Sequence, residues 1–216
     1  GGATINMSEE SYIEVTDDGV LEIAGTAEDY AIITGENWTK NTSTSNGPGI
    51  LLESSNPSTI KYAKITNTNV SNSQWMISSN DGSTIENSII SGGDYGINLS
   101  NNSTIKNSEI YNLKADALHL TNSTATGNII YNVNNNNNTS GDSDINLQNG
   151  STFKNNRVYS IEDRDDNVAI WVDGNSTIEY NTIGGSSGKH GAVGIAMAYN
   201  RNSTIRFNNI GGFQAN

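Results

Sequence analysis

The chain has 216 residues, 33% of them hydrophobic, with 23 acidic against 11 basic side chains, two prolines and no cysteine. A net charge of -12 excludes nucleic acid and anionic membrane as partners, because neither releases counterions onto a negative surface. The lack of cysteine excludes disulfides and thiolate metal sites, and no apolar run is long enough to span a bilayer.

Residues 1–50 are the least regular part. YIEV from 12, VLEIAG from 20 and YAIITGEN from 30 still read as strands, the first rungs of a stack whose ends depart from its repeat because they cap it.

From residue 50 a block recurs: STIKYAKI at 58, STIENSII at 83, STIKNSEI at 103, STATGNII at 123, STFKNNRV at 151, STIEYNTI at 176 and STIRFNNI at 203. Blocks start 20 to 28 residues apart, while the spacing inside them is constant. Position three holds Ile60, Ile85, Ile105, Ala125, Phe153, Ile178 and Ile205; position eight holds Ile65, Ile90, Ile110, Ile130, Val158, Ile183 and Ile210. Both columns point inward. Residues five apart cannot share one face of a strand of period two, so the block is two short strands joined by a corner. Position six is assigned to that corner, and its last four residues, Asn128, Asn156, Asn181 and Asn208, stack about 4.8 Å apart into an amide ladder. The outward Thr at position two is followed beyond the Ile by Lys, Glu, Thr or Arg, which excludes the flat double rank of an ice-binding face.

A third strand precedes each block. GINLS from 96, ALHLT from 117, DINLQ from 144 and AIWVD from 169 alternate cleanly, with Ile97 and Leu99, Leu118 and Leu120, Ile145 and Leu147, and Ile170 and Val172 facing in. No 3.6-residue period is sustained, and hairpin turns do not separate the strands. The fold class is therefore all-β: one domain over 1–216, a single-stranded right-handed parallel β-helix with three sheets.

The repeat STIxxNxI, the opening segment GVLEIAGTAEDYAIITGEN from 19 and Trp38 after it resemble the right-handed parallel β-helix superfamily of pectate-lyase-like, secreted cell-surface proteins. That resemblance implies a secreted or cell-surface protein, a module of a longer chain, with polysaccharide lying along the third strand and its loops. The calcium, lysine and arginine set of a pectate lyase has no counterpart here, and these rungs serve lyases, epimerases and adhesion modules alike.

The outward residues of the third strand form a stripe. Asn98, His119, Asn146 and Trp171, beside Gln148 and Asp173, supply amide, imidazole and indole groups that hydrogen-bond and stack on sugars. His119 with Asp116 and Asp144 has the composition of a general base oriented by a carboxylate. Asp142, Asp144, Glu162, Asp163, Asp165 and Asp166 crowd neighbouring loops, a set of hard oxygens suited to Ca²⁺. The expected function is an extracellular polysaccharide-contacting module for binding, adhesion or structure; the alternative is a lyase or epimerase-like enzyme acting on an acidic glycan. No membrane insertion is expected.

Overall fold

The computed structural model describes residues 2–41, 46–68, 74–133, 143–161, 168–184, 187–188, 193–198, 202–212 and 214–215. They coil into a right-handed parallel β-helix of three long sheets, with no helix among the described residues. Sheet 1 stacks eight three-residue strands, from Glu22–Ala24 and Thr59–Lys61 up to Thr204–Arg206. Sheet 2 stacks nine, from Thr4–Met7 through Ala31–Glu36, Ala63–Thr68 and Ile129–Val133 to Asn209–Gly211. Sheet 3 stacks eight: Ile13–Asp17, Ile50–Ser54, Trp75–Ser79, Tyr95–Ser100, Leu118–Thr121, Ser143–Gln148, Val168–Asp173 and Val193–Met197. Residues 12–36 thus form a first rung, as the sequence predicts.

Every pairing in these sheets is parallel, and the register equals the block alignment: Ile105 pairs with Ala125, Ala125 with Phe153 and Phe153 with Ile178. The predicted interior column is real. Ile60, Ile85, Ile105, Phe153 and Ile178 are fully buried, as are Ile65, Ile90, Ile110 and Ile130 of the second column. Each such side chain contributes about 2 kcal/mol by leaving water. At the last rung Ile205 and Ile210 keep their register but are 37% and 44% exposed.

The corner between sheets 1 and 2 corrects the sequence assignment. The chain turns at position five, where Tyr62, Asn87, Asn107, Gly127, Asn155, Tyr180 and Phe207 all have φ between 47° and 68°. Left-handed backbone favours Asn and Gly, whose side chains collide least there. The same device closes the other corners: Asn102, Asn107 and Asn112 in one rung, Asn122, Gly127 and Asn132 in the next, all have positive φ. Here lies one reason for so much asparagine. Three left-handed corners per turn need it.

Position six lies just past the corner, pointing inward. The Oδ1 of Asn156 accepts from the backbone N–H of Asn128 at 2.9 Å and from its Nδ2 at 3.0 Å; Asn181 and Asn208 repeat the pattern. Each Nδ2 also donates to a carbonyl of the rung below, as Asn156 does to Ala125 at 3.1 Å. The ladder continues toward the N-terminus through Ser108 and Ser88, whose hydroxyls accept the backbone N–H below them at 3.1 Å. Position one forms a second buried ladder, with the Ser83 hydroxyl accepting from the Ser58 N–H at 2.7 Å. Most polar atoms of these two ladders are thereby satisfied, as burial demands, the buried Ser176 hydroxyl being an exception.

Candidate functional site

The outer face of sheet 3 carries the predicted stripe in exact neighbour-to-neighbour register. Asn98 pairs with His119, His119 with Asn146, Asn146 with Trp171 and Trp171 with Ala196; Gln148 pairs with Asp173 one step along. Because inward positions are held by Ile97, Leu118, Ile145 and Ile170, strand alternation turns the stripe outward. Trp171 is 36% exposed, and the other stripe residues are half-buried.

Toward the loops the same face is covered. Met76, Leu113, Ala117, Asp144 and Ala169 are buried there, and Leu113 lies so close over Gly96 that an added Cβ would stand 2.8 Å from it and 2.3 Å from the Ala117 carbonyl oxygen. Gly96 is needed for this close approach. Trp75, the first residue of its strand in sheet 3, packs against Tyr95 with ring centroids 5.0 Å apart and reaches across the Asn98 strand to His119 at 6.2 Å. The stripe therefore has an aromatic wall at one end and Trp171 at the other.

His119 hydrogen-bonds the Gln148 side chain, and burial holds its imidazole below the usual histidine range, partly opposed by that bond. Its Nε2 is buried with no hydrogen-bond partner, and so is Oδ1 of the adjacent Asn146. A neutral imidazole bonded to Gln148 through its other nitrogen leaves Nε2 as a bare acceptor. The depressed pKa has a sign for stability. The unfolded chain takes up the proton first as pH falls, so stability is full above the ordinary histidine pKa and declines as pH drops from there through the lower folded value. His119→Gln is expected to flatten this decline, read from urea midpoints between pH 7 and pH 5; an unchanged slope would assign the acid sensitivity to other groups.

Of the proposed catalytic partners, Asp144 is fully buried in the covered row beside the stripe and accepts the Ala117 N–H through its backbone carbonyl at 2.8 Å, while the Asp116 carbonyl accepts from Gly96 at 2.9 Å. Of the proposed calcium ligands only Asp144 is described; Asp142, Glu162, Asp163, Asp165 and Asp166 lie outside the described residues. Among the described residues no three His, Asp or Glu side chains gather as a metal site would require.

A tyrosine stack escaped the sequence reading. Tyr111, Tyr131 and Tyr159 lie on sheet 2 with centroids 5.0 and 5.1 Å apart and rings within 7° of parallel. Tyr131 donates its hydroxyl to Glu109 at 2.7 Å, and burial with that bond raises its pKa well above the usual range. The signal was present, since the tyrosines recur at the block interval. A hollow of about 320 Å³ at the N-terminal end is lined by Ala3, Ile5, Ile23 and Ile33; its apolar lining marks the open end of the core column. No family model, no curated protein and no solved structure matches the chain. No helix among the described residues is long and apolar enough to cross a membrane.

Proposed function

We propose that the protein is an extracellular module that contacts polysaccharide along the outer face of sheet 3, serving binding, adhesion or structure. The observation that carries this reading is the aligned row Asn98, His119, Asn146 and Trp171, in which half-buried amide and imidazole side chains stand beside an exposed indole. Sugars offer what such a row takes: hydroxyls for its polar side chains and a C–H face for the indole ring. The likeness of the repeat to secreted pectate-lyase-like proteins supports the same reading. Gln148 and Asp173, in register beside the row, extend the polar contact.

A glycan array tests it. Wild type is expected to bind, and Trp171→Ala to weaken binding about tenfold, the equivalent of 1.4 kcal/mol; an array without hits, with and without Ca²⁺, would leave only a structural spacer. Calcium enters this proposal through Asp142, Asp144, Glu162, Asp163, Asp165 and Asp166, and the Ca²⁺ arm of the array addresses it.

The second reading is a lyase or epimerase-like enzyme on an acidic glycan. It is favoured by one feature, the His119 imidazole held below the usual histidine range by burial, a neutral group that suits a general base. Ultraviolet absorbance of unsaturated products on alginates and pectins, lost in His119→Ala with the fold intact, would establish it over the first.

A further inference from the structure

At the corner after sheet 1 most rungs use the residues that left-handed backbone tolerates: Asn87, Asn107, Gly127 and Asn155. Tyr62, Tyr180 and Phe207 hold the same conformation at φ 47°, 56° and 57°, where a bulky side chain is strained. Tyr62 is half-buried and packs edge-on against Tyr30, centroids 6.0 Å apart. Tyr180 and Phe207 have no such shelter, being 50% and 65% exposed. They stack on one another at 5.0 Å, with Lys154 Nζ 5.3 Å from the Tyr180 ring centre and Arg206 Cζ 5.6 Å from that of Phe207. Contacts of this kind in water return about what the strained backbone takes, so packing gives no reason to prefer rings over Asn here.

The charge beside them is also exceptional. The outward row of sheet 1 runs Lys61, Glu86, Lys106, Thr126, Lys154, Glu179 and Arg206 in register, four cations against two carboxylates on a chain of net charge -12. Glu179 lies between Lys154 at 3.7 Å and Arg206 at 2.5 Å, while those cations are 42% and 58% exposed. One positive charge is left over beside the rings.

We propose that Tyr180 and Phe207, with Lys154 and Arg206, form a second contact site, separate from the sheet 3 stripe, for a polysaccharide bearing one carboxylate per sugar. The rings cover pyranose C–H surface and the surplus cation meets the carboxylate. A densely sulfated polymer, with more charge per sugar, would be repelled more strongly by the rest of the acidic surface.

Affinity electrophoresis of the whole chain through polygalacturonate, dextran sulfate and neutral galactan tests this. Wild type is expected to be retarded by polygalacturonate alone. The double substitution Tyr180→Asn, Phe207→Asn is expected to weaken that retardation about tenfold or more, with a thermal midpoint equal to wild type or higher because Asn suits the corner. Lys154→Thr, the residue of the Thr126 rung, is expected to weaken retardation and flatten its salt dependence. The proposal is overturned by any of four results: no retardation of wild type, retardation by dextran sulfate instead, unchanged retardation of the double variant, or a lowered midpoint showing that the rings are structural.

Discussion

Asn156→Ala is expected to destabilise the protein by about 3 kcal/mol or more, because it orphans several buried groups at once. The Asn128 N–H and Nδ2 lose their acceptor, and the Ala125 carbonyl and Asn181 Oδ1 lose a donor. Asn156 is 1% exposed, so water does not replace what is lost. Asn156→Ser is expected to cost about half as much, because Ser108 already shows that a hydroxyl at this position accepts the N–H below it. Urea unfolding measures both. In a solenoid each rung is stabilised by its neighbours, so the alanine variant is also expected to lose hydrogen-exchange protection first in the rungs on either side of residue 156. A cost below about 1 kcal/mol for the alanine variant would mean that the amide ladder is ornamental.

The second large effect concerns volume. Position three is Ile in most rungs, but Ala125 stands directly beneath Phe153, with Ile178 above, and all three are fully buried. The phenyl ring fills what the alanine leaves. Phe153→Ala is therefore expected to cost about 3 to 5 kcal/mol, and Ala125→Ile alone about 1 to 3 kcal/mol through overpacking. Combining Ala125→Ile with Phe153→Ile restores the common column and is expected to recover at least about 1 kcal/mol relative to the sum of the single changes. A double-mutant cycle in urea reads the coupling. Strict additivity would show that the two side chains do not share space.

These positions show what was legible in the sequence. Inward columns declare themselves because Ile60, Ile85 and Ile105 recur at a fixed offset from Ile65, Ile90 and Ile110, and such an offset survives any loop length between rungs. The corner was misplaced by one residue, since left-handed backbone leaves no hydrophobic trace and Asn occurs at both position five (Asn87, Asn107, Asn155) and position six (Asn128, Asn156, Asn181) for different reasons. Serine at position one was equally hard to place, because Ser58 and Ser83 look like surface polar residues until their hydroxyls are seen accepting backbone N–H groups inside the coil. The sheet 3 stripe was legible through alternation alone. Its aromatic wall was not, because Trp75 reaches His119 across an intervening strand, a contact set by side-chain length and not by register.

The most direct measurement is a crystal structure of the protein grown with mixed neutral and acidic oligosaccharides. A sugar ring against Trp171, lying along the row of Asn98, His119 and Asn146, is the expected result. Oligosaccharide ordered on other faces while the sheet 3 stripe stays bare would contradict the proposal that this stripe is the protein's working surface.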